Sequence, residues 1–306
     1  MKYIYTLFFV LIISACNGQD KNTDKQQVIN ANKRFELVSI PATITQPEKR
    51  AEYLTFHYWD NFHFNDTTYT HLPEVTEQAL SDYLDLLRYV SHETAIHSIH
   101  LLMKQAEQNR IMFNYFSDMM EKYLYDSDSP LKDEKLYSEV LKYIINSSSL
   151  SKEEKIRPLY QLQLVLKNNE GDHAHDFSYT LSNEQQKTLY DTQAQLLLLF
   201  FYNPDCEHCQ TTLQELKKSP IIKQFIAEKK LMILAIFPDG ERTLWKKHIQ
   251  NIPDNWINGY DESISIVNEE IYDLKSMPTL YLLDKEKTVL LKDCHLSDIE
   301  DFLQKD

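Results

Sequence analysis

Phe200-Phe201-Tyr202-Asn203-Pro204-Asp205-Cys206-Glu207-His208-Cys209 joins an apolar run to a pair of cysteines with two residues between them. Gln195 to Tyr202, ended by Asn203-Pro204-Asp205, reads as a buried strand. Cys206 to Lys218 then reads as a helix, so the two thiols stand where a strand ends and a helix starts. A pair placed there can make and break a disulfide.

On either side of this stretch, apolar runs alternate with amphipathic ones. Glu170 to Phe177 is a turn-rich junction, and Phe177 to Leu181 reads as a short strand. After the cysteines the pattern predicts a second helical segment over Pro220–Glu228, a strand over Lys230–Phe237, and helices over Glu241–Ile252 and Ile264–Leu274. Thr279–Leu283 and Thr288–Lys292 read as a hairpin turning on Asp284-Lys285-Glu286-Lys287, and Ser297–Gln304 as a closing helix. Residues 169–306 thus form an α/β domain with a sheet covered on both faces.

This order of elements resembles the thioredoxin fold, and more closely the TlpA-type thiol–disulfide oxidoreductases. Three motifs carry the resemblance: the strand–Cys206-Glu207-His208-Cys209–helix unit, Met277-Pro278-Thr279 at the start of the next-to-last strand, and Gly171 to Phe177, which is similar to the family's Gly-x-x-Ala-x-x-Phe lead-in. The resemblance implies that Pro278 is a cis-proline beside the sulfurs. Met277 and Thr279 would then flank an open backbone edge able to pair with an extended substrate. It implies a redox-active Cys206–Cys209 disulfide with no further cofactor and no metal. Two positions depart from thioredoxin proper. Phe200 stands where a buried acid is expected, which leaves Glu207 or a water to take the proton of Cys209, and Asp205 replaces an aromatic residue.

The spacing has its own chemistry. Cys206 at a helix N-terminus would be the exposed nucleophile, its thiolate favoured by the helix dipole and unpaired N–H groups. Cys209, one turn in, would resolve the mixed disulfide. A cationic His208 would tune the Cys206 thiol further down, while Asp205 and Glu207 oppose it. The competing readings are a zinc half-site, which needs two more ligands, and a static disulfide, strained by so short a loop. Cys294, just past the last strand, is either a buried bystander or a regulatory third thiol.

Residues 34–168 read as an all-helical domain. Apolar stripes recur through Val75–Leu87, Ala95–Ala106, Ile111–Tyr123 and Leu136–Ile144, giving about five to six antiparallel helices. Ser129-Pro130 reads as a helix start, Ser151 and Glu154 as a capping box, and Pro158 as a kink or restart. His92 and His97 are five apart, whereas a zinc-protease helix needs four. Phe56 to Phe62, rich in aromatics, is expected to pack the first helix onto the bundle rather than line a groove. This half resembles an uncharacterised helical domain found ahead of thioredoxin-like domains in secreted bacterial lipoproteins, a resemblance resting on position, helical content and Tyr58-Trp59-Asp60-Asn61-Phe62. It brings no activity with it and leaves binding of a protein partner as the domain's candidate task.

Residues 1–15 carry Lys2 and an apolar run that is too short for a membrane span, and they read as a secretory signal. Ile13-Ser14-Ala15-Cys16 resembles a bacterial lipoprotein cleavage box, which implies lipidation of Cys16. Asn17 after it favours the outer membrane. Residues 16–33 are too polar to fold and read as a tether. The net charge of −14 repels phosphate backbones and excludes nucleic-acid binding. With four cysteines, one of them the lipid site, the chain is no disulfide-stapled scaffold.

Together these features predict a lipid-anchored envelope thiol–disulfide oxidoreductase, leaning to reductase and facing the periplasm. Its partners would be envelope protein disulfides and a redox partner. The alternative is an adaptor or metal-handling lipoprotein on a thioredoxin scaffold. Asn203, where a peroxidase would need threonine or serine three residues before the cysteine, argues against peroxidase chemistry.

Overall fold

The computed structural model describes residues 33–305; the expected leader, Cys16 and all of the tether except Lys33 lie outside the described residues. Among the described residues the N-terminal half holds six α-helices, α1 (Pro47–His57), α2 (Pro73–Leu87), α3 (His92–Ala106), α4 (Arg110–Leu124), α5 (Glu134–Asn146) and α6 (Ile156–Val165), with a 3-10 turn at Thr67–His71. Pro47 and Pro73 open α1 and α2, where a missing N–H costs nothing. Ser91, Asn109 and Asp133 cap α3, α4 and α5 through their side chains. The apolar stripes meet in one core containing Leu80, Tyr83, Ile99, Met103, Phe116 and Val140. Trp59 is buried in it, edge-on to Phe116 with ring centroids 5.2 Å apart, so the aromatic stretch packs α1 onto the bundle as expected.

Several local expectations here are corrected. Ser129-Pro130 does not open a helix. The Ser129 hydroxyl donates to Tyr123 O and accepts from Leu131 N–H within a turn, and α5 starts four residues later, behind Asp133. Ser151 and Glu154 do bond reciprocally, but around a turn that precedes α6. Pro158 falls in the first turn of α6, where it breaks no ladder bond. Ile111, in the first turn of α4, faces solvent instead of the core.

The C-terminal half is built on a seven-stranded sheet in the order β2-β1-β5-β4-β3-β6-β7. Its strands are β1 (Ser178–Leu181), β2 (Gln186–Thr188), β3 (Leu196–Phe201), β4 (Leu231–Phe237), β5 (Ile257–Tyr260), β6 (Thr279–Asp284) and β7 (Val289–Lys292). β3, β4 and β5 run parallel, and β6 returns antiparallel to β3 with Phe201 opposite Thr279. The unbroken apolar run of β3 is explained by its central place, buried on both faces. Leu198 and Phe200 face a core shared with α7 (Glu207–Lys218), α8 (Pro220–Ala227), α9 (Arg242–His248) and α11 (Leu296–Lys305). Leu197, Leu199 and Phe201 face Phe177, Tyr272 and Tyr281.

The sequence misses β2 and β5, and the helix expected over Ile264–Leu274 is a single turn, α10 (Ser265–Asn268). Ile264 and Glu270 both take left-handed backbone conformations, φ 57° and 50°, which bound the turn on each side. The Asp261 carboxylate takes up Ser263 N–H and Ile266 N–H at 3.0 and 2.7 Å, and the chain then runs on as coil over that face of the sheet. β5 is short and polar and carries Gly259, where a Cβ would fall 2.6 Å from the Tyr179 ring of the neighbouring strand. Only glycine allows that approach.

The two halves are joined by a buried charge cluster. Lys132 and Glu134 from the helical half meet Asp273, Lys275, Lys292 and Asp293. Lys275 pairs with Glu134 and lies 3.3 Å from Asp293, while Lys292 lies 2.8 Å from Glu134. The Lys275 ammonium also sits 3.9 Å from the centre of the Tyr125 ring. Burial alone would push Lys275 down, but the carboxylates of Glu134 and Asp293 outweigh it and hold its pKa above the ordinary lysine value. Three lysines against three carboxylates balance, so removing one member strands its partners. Lys275→Ala is expected to lower the unfolding free energy by about 3 kcal/mol in chemical denaturation. A loss of the size seen for surface pairs would contradict the buried, mutually dependent cluster.

Candidate active site

The Phe201–Thr279 register brings the C-terminal end of β3 beside the start of β6, and so sets the cysteine loop against the turn before β6. Cys206 is the N-cap of α7. Its sulfur accepts the Cys209 N–H at 3.4 Å and its S–H donates to Met277 O at 3.5 Å. The Met277–Pro278 peptide is cis. Among the described residues nothing accepts a hydrogen bond from the Met277 N–H, so that backbone edge is open. Cys206 is half-buried, whereas Cys209 is 2% exposed and accepts the Asn203 N–H at 3.4 Å. Burial pushes the Cys209 thiol up to about 12. Cys206, Cys209 and Cys294 are all free thiols.

The remaining expected residues fall differently. His208 is exposed and hydrogen-bonds to neither sulfur among the described residues; it lines a cavity with Met277, Pro278 and Cys294. Thr279 is not open to substrate. It is buried, and its hydroxyl donates to Ser276 O at 2.6 Å, closing the turn that carries Pro278. A buried hydroxyl has to find an acceptor, and here it takes the Ser276 carbonyl. Cys294 is half-buried on the same cavity with its S–H 3.6 Å from Leu280 O, and burial raises its pKa. Glu207 is exposed and makes no bond to Cys209. Among the described residues no group of three histidine, cysteine or acidic side chains could hold a metal ion.

Phe200, fully buried, stacks on Tyr202 with ring centroids 5.3 Å apart. The Tyr202 hydroxyl donates to Asn258 Oδ1 at 2.9 Å, and the Trp245 indole N–H donates to the same oxygen at 3.1 Å. Burial raises the Tyr202 phenol well above its usual value, so this polar layer behind the cysteines is neutral. Asp205, which the sequence sets against the thiolate, lies 3.4 Å from His248 Nε2 at the end of α9. Sequence reasoning missed Trp245, His248 and Asn258. They lie about forty to fifty residues from the cysteines, and no local motif marks them.

A family model described as a domain of unknown function (DUF5106) matches residues 15–168, and one described as thioredoxin-like matches residues 193–289. A crystal structure of a thioredoxin-like protein from Bacteroides caccae is 46% identical, with a TM-score of 0.85 over 89% of this chain and 99% of that one. The C-terminal domain of an uncharacterized protein from Bacteroides fragilis is 47% identical over 45% of this chain and 98% of its own, with a TM-score of 0.44. The thioredoxin domain of a thiol-disulfide oxidoreductase from Bacteroides vulgatus is 19% identical over 45% of this chain and 96% of its own, with a TM-score of 0.39. No curated protein matches. With a helical half followed by a thioredoxin-like half, and a relative that it spans almost completely, the chain belongs to the thioredoxin-like proteins that carry an N-terminal DUF5106 domain, whose fold supports general thiol redox chemistry.

Proposed function

We propose that the chain is a thiol–disulfide oxidoreductase that reduces disulfides in proteins of the cell envelope, tethered there by a lipid on Cys16. The observation that carries the reading is the juxtaposition of a half-exposed Cys206, a buried Cys209 and the open backbone edge of Met277. The Cys206 thiolate attacks one sulfur of a substrate disulfide, forming a mixed disulfide and releasing the first substrate thiolate, which takes up a proton. Cys209 gives up its proton and attacks the Cys206 sulfur. This closes the Cys206–Cys209 disulfide and releases the second substrate thiolate, again to be protonated. Two electrons pass to the substrate, and an external dithiol must restore the pair.

Two features support the reductive direction. The resemblance to TlpA-type proteins favours a reductase. His208, which when cationic would favour the Cys206 thiolate over the disulfide and so push toward an oxidant, makes no hydrogen bond to either sulfur. Envelope placement rests on the Ile13-Ser14-Ala15-Cys16 box. No helix among the described residues is long and apolar enough to cross a membrane.

In insulin reduction with dithiothreitol, the wild type is expected to accelerate precipitation and Cys206→Ser to lose the effect. A wild type that performs no better than dithiothreitol alone would sink the enzymatic reading. Cys209→Ala is expected to capture envelope proteins as mixed disulfides through Cys206, visible as adducts that dithiothreitol releases; recovery of background only would remove protein disulfides as substrates. A third expectation concerns pH. The folded chain holds the Cys209 proton more tightly than the unfolded chain, about 12 against 9.0. That contribution to stability is present below pH 9 and is lost as pH rises toward 12. Between pH 9 and 11 the reduced wild type should lose on the order of 2 kcal/mol relative to Cys209→Ala. Parallel stability curves for the two proteins would contradict the buried, protonated thiol.

A further inference from the structure

We infer that the loop joining α4 to α5 in the helical half is a specificity wall of the dithiol site, with Asp128 selecting substrate segments that carry a basic residue next to the reacting cysteine. The inference rests on the thiol–disulfide reading above and assigns the helical half a task in it.

A cavity of about 620 Å³ adjoins the Met277–Pro278 turn, and both halves of the chain line it. α7 contributes His208, Thr211 and Glu215; the helical half contributes Ser127 and Asp128. A second cavity, of about 490 Å³, shares Ser127 and Ser276 with the first and continues along the helical half past Asp126 to Asp118. The two cavities therefore adjoin at Ser127 and Ser276, one beside the cis-proline turn and the other on the helical domain.

The loop is held firmly in that place. The Tyr125 hydroxyl donates to Asp273 Oδ2 at 2.7 Å, the Ser127 hydroxyl donates to Asp293 Oδ2 at 3.0 Å, and Lys132 Nζ lies 3.2 Å from the same Asp293 oxygen. Asp273 precedes the cis-proline turn, and Asp293 follows β7 next to Cys294. The loop is therefore stapled to both segments that frame the turn. Its position relative to Met277 is set by buried bonds rather than by a flexible linker.

The charge of the cavities indicates the occupant. No lysine or arginine lines the first cavity, whose basic side chains are His208 and His295; Lys122 and Lys275 line the second, and both are already paired, with Glu77 and Glu134. Asp293 is already engaged by Ser127, Lys132 and Lys275, and Glu300 accepts the Ser219 hydroxyl. Asp128 and Glu215 remain exposed and make no ion pair among the described residues. A segment pairing with the open Met277 backbone runs between α7 and the loop, and the alternation of an extended chain turns residues beside its cysteine toward these carboxylates. A lysine or arginine there is attracted, and a glutamate or aspartate is repelled.

The test uses the pre-reduced full chain in single turnover at low salt. Two disulfide-linked peptide dimers are compared, identical except for lysine or glutamate beside the cysteine. Hydroxyethyl disulfide, too small to span the cavity, reports the dithiol itself. The wild type is expected to react about fivefold or more faster with the lysine peptide, and the preference should shrink as salt is added. Asp128→Lys is expected to cut the ratio of the two rate constants by about fivefold, and Asp128→Asn to give an intermediate ratio. Equal ratios in the wild type and Asp128→Lys, with hydroxyethyl disulfide still reduced by both, would overturn the specificity wall alone. A wild type that reduces none of the three disulfides overturns the thiol–disulfide reading and this inference with it.

Discussion

The antiparallel pairing of β3 with β6, with Phe201 opposite Thr279, is the constraint on which the rest of the structure depends. It places the end of an apolar strand, and hence the cysteine loop that follows, against the start of a strand seventy-odd residues later. The Cys206 sulfur then lies 3.5 Å from Met277 O, and the next backbone group available to a partner is the open Met277 N–H. A slip of one residue would turn Phe200 and Leu198 into the other core and Leu197, Leu199 and Phe201 out of theirs, so the fit of side-chain sizes in the two cores, not polarity, holds the register. The reactive geometry is in this sense a by-product of hydrophobic packing.

A second constraint acts across the two halves. The cluster of Lys132, Glu134, Asp273, Lys275, Lys292 and Asp293 removes six charges from water, which is costly unless each is matched. Here each lysine faces carboxylates, and Tyr125 and Ser127 satisfy remaining oxygens. Such a cluster contributes little net stability compared with an apolar interface, but it tolerates few alternative arrangements. Its members flank the turn that carries Pro278, so the helical half is joined to the dithiol region through matched charge.

Legibility in the sequence varied with the range of the forces involved. The two-domain plan, the central strand and the helix capped by Cys206 could be read because periodicity and the spacing of two cysteines are local. The coil at Ile264–Leu274 read as a helix because its apolar spacing fits one, while two left-handed residues and the Asp261 carboxylate override it. Thr279 read as a substrate contact because it neighbours Pro278, but its hydroxyl is consumed by Ser276 O. His208 read as the tuning residue because it lies between the cysteines, yet the histidine that meets a charge beside them is His248, paired with Asp205.

The sequence by itself determined that a dithiol stands at a strand–helix junction in an α/β half, that an all-helical half precedes it, and that the chain is acidic. Those conclusions need only nearest-neighbour preferences and composition. Tertiary structure alone decided that Asn258 and Trp245 form a neutral layer with Tyr202, that Cys294 shares a cavity with Pro278, and that Ser127 and Asp128 of the helical half wall that cavity. The physical reason is common to all three. Which side chains meet across sixteen to about one hundred and fifty residues is settled by how the burial of apolar faces and the cancellation of buried charge orient whole elements, and no local pattern encodes that orientation.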